Sequence, residues 1–157
     1  MKFNLHCNNQ GLKGYENYES RPTFIDEAAG IHASMDRYLF SNVEDGTVDE
    51  IIVNVGCLGS LHRQEVAPTI ASWYRILAPG GRARIVFNDL YMVTDALNYD
   101  QVDHLMFEQT FVQYNSYHTF KEMVELTESA GFTLGEAYYG VGGNDHVCVV
   151  EVIKPKE

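Results

Sequence analysis

The chain has 157 residues, 45% of them hydrophobic and 21% charged, the size and make-up of a single globular domain over 1–157, which excludes the disordered and collagen-like classes. Its 22 acidic side chains against 11 basic ones leave a formal charge of −11. A binder that lives on phosphate contacts needs a basic face, so this balance argues against nucleic acid and against an anionic membrane surface as partners.

In chain order, apolar runs alternate with helical patterns, the rhythm of an α/β sheet. A first strand is predicted over 3–7, closed by the turn formers Asn8, Asn9, Gln10 and Gly11, and a weaker second strand over 15–19. One or two helical turns over 24–30 lead to a short third strand over 31–35. The fourth strand, 49–55, carries Ile51, Ile52 and Val53 without alternation, the pattern of a strand buried on both faces. Val66, Ile70, Trp73 and Leu77 then fall on one face of a helix, with Pro68 in its first turn and Pro79, Gly80 and Gly81 as its stop. A fifth strand is predicted over 82–88, with Asp89 at its end.

The longest insert, 91–117, holds Tyr91, Tyr99, Phe107, Phe111, Tyr114 and Tyr117. These aromatics suit a wall over a substrate crevice; the alternatives are packing of a helix onto the core or the contact of a homo-oligomer. Thr119 and Glu122 fit a capping box, followed by an inner face of Phe120, Met123, Val124 and Thr127 and by Gly131. Strands over 132–139 and 146–153, joined by the loop 140–145, form an antiparallel hairpin whose last strand is apolar on both sides and so internal to the sheet.

Cys7, Cys57 and Cys148 are odd in number, far apart and without a C-x-x-C pair, so neither a disulfide framework nor a thiolate zinc site is expected. The six histidines have no ligand spacing, and no metal is assigned. No signal-like run follows Met1 and no stretch approaches about 20 apolar residues, so the expected compartment is cytoplasmic. A nicotinamide fingerprint is absent: Gly11 and Gly14 lack the third glycine, Glu19 follows too soon, and Gly140 to Gly143 join two strands.

A mostly parallel sheet finished by such a hairpin is the plan of class I S-adenosylmethionine-dependent methyltransferases. The segments Asp49-Glu50-Ile51, Trp73-Tyr-Arg-Ile-Leu-Ala-Pro-Gly-Gly81 and Arg84-Ile-Val-Phe-Asn-Asp-Leu90 resemble the central block of small bacterial and phage members. The opening, Phe3 to Asn9 with Gly14 to Glu19, resembles a degenerate copy of their L-N-L-G-C-G-x-x-x-x-x-G-Y-x-N-x-D. The resemblance implies a Rossmann-like three-layer sandwich with strand order 3-2-1-4-5-7-6 and an antiparallel last strand.

It also implies S-adenosylmethionine as cofactor, held by Leu5, His6, Cys7 and Asn8 after the first strand, by Glu19 at the ribose hydroxyls, by Asp36 (with Ser34 and Met35) at the adenine edge, and by Asn54, Val55 and Gly56 at the end of the fourth strand. In open α/β sheets the ligand crevice lies outside the carboxyl ends of the strands. His62, Asp89 and His118 are the candidate bases there. The implied activity is methyl transfer to a small-molecule or glycan-like acceptor; no D-P-P-Y or N-P-P-Y signature of base-methylating enzymes is present.

Three departures stand against the matches. The family's two glycines are His6 and Asn8, its L-E-H-L is Leu58-Gly59-Ser60-Leu61, and the connection from Cys7 to Tyr15 is too short for a crossover helix. His and Asn tolerate positive φ, so the turn survives, but their side chains stand where the methionine part of the cofactor lies. The first two departures motivate the alternative of a methyltransferase-like pseudoenzyme kept as a binding or scaffold module, and a weaker one in which the pocket takes another adenosyl compound; the third is shared by relatives with the G-Y-x-N-x-D pattern.

Overall fold

The computed structural model describes residues 1–34, 36–98, 114–141 and 144–156. The seven strands are β1 (Lys2–Leu5), β2 (Glu16–Glu19), β3 (Ile31–Ala33), β4 (Val48–Val53), β5 (Leu77–Asn88), β6 (Thr133–Val141) and β7 (Asn144–Ile153). They form one sheet in the order β3-β2-β1-β4-β5-β7-β6. The pairs from β3 through β5 are parallel, and β7 runs antiparallel to both β5 and β6. The expected order and the reversed last strand are therefore both observed. Met35, Tyr99, Phe107, Phe111, Gly142 and Gly143, to which the sequence assigned a strand end, aromatic wall and hairpin loop, lie outside the described residues.

Alternation along the strands divides the sheet into two unlike faces. Phe3, Leu5, Ile51, Val53, Ala83 and Ile85 point to one face and join Ile70 and Trp73 of α1 (Arg63–Ile76) in the main core. Met123 of α3 (Phe120–Ser129) and Phe132 extend it, with the Phe132 ring edge-on to Tyr74. On the opposite face α2 (Leu90–Asn98) packs on β7, where Val147 and Val149 are buried outside that cluster. No described helix is long and apolar enough to cross a membrane.

The opposite face over β1, β2 and β4 is polar. Asn4 donates to Asn17 at 2.8 Å and accepts from Asn54 at 2.7 Å, a ladder across three strands. Glu50 accepts from Tyr15 and is paired with Lys2 and Arg82. Ile52 stands in register with Asn4 and Arg84 on this face and is only half-buried, which corrects the expectation of a fourth strand buried on both sides. The reason is local: residues 6–15 form turns and no helix, so nothing from that connection covers the face.

Two smaller corrections concern α1. Pro68 lies beyond the first turn, inside the helix, and the carbonyl it leaves unpartnered belongs to exposed Gln64. Pro79, Gly80 and Gly81 do not stop the helix: Leu77 already turns extended and pairs with Val48, so β5 begins there. The three residues form an irregularity within the ladder, where a Cβ on Gly81 would meet the Ala78 carbonyl at 2.8 Å.

Candidate functional site

The backbone leaves β1 at Leu5 and turns through His6 (φ 57°) and Asn8 (φ 55°), both left-handed. The conformation a glycine would supply is thus kept, but with side chains attached. The His6 ring is buried; its Nδ1 lies 3.3 Å from Tyr38 Oη and 3.6 Å from Glu19 Oε1. Burial pushes its pKa down to about 4, outweighing the attraction of Glu19, so the ring is neutral at pH 7. A Cβ on Gly56 (φ 91°), at the end of β4, would lie 3.1 Å from His6 Nε2 and 3.4 Å from Tyr114 Oη.

Glu19 ends β2 fully buried. Its Oε1 accepts from the backbone of Ser20 (2.9 Å) and Arg21 (3.1 Å) and from Arg21 Nε (3.0 Å). Its Oε2 accepts from Asn8 N (3.1 Å) and Arg21 Nη2 (2.7 Å). Burial raises its pKa, but the Arg21 hydrogen bonds and neighbouring charge prevail and hold the carboxyl below its ordinary range. Tyr38, fully buried at φ 70°, donates nothing to Ser20 N but accepts from it at 3.0 Å, while its carbonyl accepts from Trp73 Nε1. Burial pushes its phenol far up, so it stays neutral.

A cleft of about 520 Å³ opens over the carboxyl ends of β2 and β3, lined by Glu19, Arg21, Ser34, Arg37, Ser60 and Asn115 among others. That volume lies within the range of small-molecule sites. Asp36 does not line it; its carboxylate accepts from Ser41 N, and it borders a separate pocket of about 360 Å³ beside α1. Asn54 is drawn into the polar ladder, donating also to Leu5 O at 2.7 Å, and Val55 is exposed. A larger hollow of about 690 Å³, bordered by Gly14, Glu16, Gly30 and Ile31, lies at the amino ends of β2 and β3, the wrong side for an α/β ligand crevice.

At the carboxyl ends of β4 and β5 the space narrows to about 20 Å³ among Gly56, Gly59, Asn88, Tyr114, Ser116 and His118. Tyr114 fills it: a Cβ on Gly59 would stand 2.7 Å from that ring. The departure Leu58-Gly59-Ser60-Leu61 is thereby explained, since residues 115 and 116 bond to the carbonyls of Gly59, Ser60 and Leu58. His118 is buried, with Nε2 3.2 Å from Ser116 Oγ and Nδ1 3.5 Å from Glu122 Oε2. Burial lowers its pKa against the pull of Glu122, which is itself ion-paired with Arg63.

The other two candidate bases stand differently. Both Asp89 oxygens are engaged, one by Met92 N (2.8 Å) and one by Phe120 N (2.6 Å), so the carboxylate ties the starts of α2 and α3. His62 is exposed at the N-cap of α1, where its backbone N–H donates to Glu65. Leu5, Cys7 and the turn backbone stand at the β1 end; Tyr114, one of the aromatics of the insert after β5, stands at the β4–β5 end, whereas Arg21 and Tyr38 carry no pattern that a sequence motif would flag.

The sequence matches no protein-family model and no curated protein. Solved structures do match. A SAM-dependent methyltransferase from Archaeoglobus fulgidus aligns over 98% of this chain and 85% of its own, at TM-score 0.73 and 8% identity. A SAM-dependent methyltransferase from Thermotoga maritima, described as a possible histamine N-methyltransferase, aligns over 98% and 81% at TM-score 0.70 and 13% identity. The Burkholderia thailandensis 1,6-didemethyltoxoflavin-N1-methyltransferase, solved with S-adenosylhomocysteine, aligns over 99% and 71% at TM-score 0.63 and 16% identity. The likeness at these identities is one of fold: the chain has the class I fold of S-adenosylmethionine-dependent methyltransferases.

Proposed function

We propose that this protein is a single-domain methyltransferase of the small bacterial and phage kind, which binds S-adenosylmethionine at the carboxyl ends of β1, β2 and β4 and methylates a small-molecule or glycan-like acceptor. The observation that carries this reading is the buried Glu19 carboxylate at the end of β2, beside a left-handed turn at the end of β1 and bordering a cleft of about 520 Å³. The donor and acceptor chemistry fits the adenosyl end of the cofactor: a carboxylate for the two ribose hydroxyls and the Leu5 to Asn8 backbone and Gly56 for close approach. The bound cofactor would supply an electrophilic methyl group on a sulfonium, and the protein's share is to hold, orient and keep water away.

On the acceptor side His118 is the base of choice. It is neutral at pH 7, because burial lowers its pKa. Its Nδ1 faces Glu122 Oε2 at 3.5 Å and its Nε2 meets the Ser116 hydroxyl at 3.2 Å, so an acceptor hydroxyl or amine reaches the ring by taking the place of Ser116. Tyr114 and Tyr117 border the same pocket and offer an aromatic wall.

A second reading, a pseudoenzyme serving as a binding module, is favoured by one observation: the His6 ring packs against Gly56, on ground where the glycine motif leaves space for the methionine part. A thermal melt with S-adenosylmethionine and with S-adenosylhomocysteine separates the two. At 100 times its dissociation constant a ligand that binds only the folded state adds about 2.7 kcal/mol. The methyltransferase reading expects a rise with both ligands; a cooperative melt unmoved by either at millimolar concentration sinks it and favours the binding module.

A further inference from the structure

The Glu19 carboxylate is already full. Five donors approach it within 3.1 Å, while a carboxylate offers about four lone-pair sites. Three of the five are backbone N–H groups of Asn8, Ser20 and Arg21, fixed by the turns at the ends of β1 and β2. The other two, Nε and Nη2, belong to the Arg21 guanidinium, which grips the carboxylate in a bidentate pair. Only this group can leave, because its side chain is about one-third exposed and lines the cleft.

Two further contacts hold Arg21 in place. Nη2 also donates to Asn8 Oδ1 at 2.5 Å, and the guanidinium lies over the Phe24 ring at 4.3 Å. The residue that occupies a family glycine position is thus an anchor for the arginine. A ribose diol needs the same two carboxylate oxygens that the guanidinium occupies.

We propose that Arg21 is an affinity- and specificity-determining residue that competes with the ligand ribose for Glu19, so that an adenosyl ligand binds only as the guanidinium swings away. The inference rests on the adenosyl-site reading above. Asn8 sets the strength of the competition through its side-chain carbonyl, while its backbone N–H holds Glu19 in either state. Apparent affinity falls in proportion to the fraction of molecules with the carboxylate free. A ligand without the diol gains nothing from that release, so the competition also sets selectivity for ribose.

The test is calorimetric titration of S-adenosylhomocysteine into wild type, Arg21→Ala and Asn8→Gly. Asn8→Gly is the variant that keeps the fold, because glycine accepts the φ of 55° and retains the N–H to Glu19. Arg21→Ala should bind about tenfold tighter than wild type and Asn8→Gly tighter by a smaller factor. In Arg21→Ala the preference for adenosine over 2′,3′-dideoxyadenosine should widen by a similar factor, which a general loosening of the pocket would not do. Wild type that binds S-adenosylhomocysteine as tightly as both variants, or more tightly, overturns the proposal and leaves the adenosyl site standing. Absence of binding by all three overturns the adenosyl site itself and the proposal with it.

Discussion

The two ends of the crevice differ in what fills them. Over β2 and β3 there are about 520 Å³ of open space, bordered by charged groups that satisfy one another. Over β4 and β5, among the described residues, the pocket is about 20 Å³, bordered by Tyr114 and His118, with His6 beside Gly56. A nucleoside-sized half is therefore ready, and the half nearer the chemistry is packed with side chains. The contrast has two sources: the left-handed turn after β1 carries the His6 side chain where a glycine would leave space, and Tyr114 reaches in over Gly59.

The largest effect belongs to the charged end. Glu19→Ala strands the Arg21 guanidinium and frees three backbone N–H groups, and should cost about 2–4 kcal/mol in a urea melt, the lower figure if Arg21 reaches solvent. A loss under about 0.5 kcal/mol would mean the network is ornamental and the charged end no more organised than ordinary surface.

The neutral end is probed by pH. His6 binds its proton more readily when unfolded, near the ordinary value of 6.5, than when folded, at about 4. Its contribution is whole above pH 6.5 and is lost as the pH falls through about 4, an effect of about 3 kcal/mol. His118 and Glu19, both also lowered, add slopes of the same sign, so the measurement is the difference between wild type and His6→Asn, a variant that tolerates the same turn. The stability of wild type minus that of the variant should stay flat above pH 6.5 and fall steadily between pH 6.5 and 4. Parallel stability curves would show that His6 is not sealed from water.

A smaller effect separates the tyrosine from the histidine. Gly59→Ala places a Cβ 2.7 Å from the Tyr114 ring and should destabilise by about 1–3 kcal/mol in the same melt. In a Tyr114→Ala background the same change should cost under about 0.5 kcal/mol, because the ring it strikes is gone. Equal costs in the two backgrounds would deny that Tyr114 closes this end.

The sequence shows the charged end better than the neutral one. Glu19 is singled out by the resemblance, as the acid at the end of a predicted second strand, and β7 is legible because its apolar run has no polar side. Arg21, two residues from Glu19, was legible as a neighbour but not as a partner, since pairing depends on how the chain turns after β2. Tyr38 and Tyr114 reach the site across 32 and 26 residues, to His6 and Asn88 respectively, and no periodicity reports such contacts. The polar side of β4 was misread for a related reason. Ile51, Ile52 and Val53 are alike as residues, and what sets Ile52 apart is that the connection 6–15 forms no helix over its face.

The location of ligand binding is the most direct test of the account. Backbone amide spectra recorded during titration with S-adenosylhomocysteine should shift at His6, Asn8, Ser20, Arg21 and Gly56, with the Arg21 side-chain Nε–H moving as its bond to Glu19 is lost. Shifts confined to the hollow around Gly14, Glu16 and Gly30, or none at millimolar ligand, would contradict it.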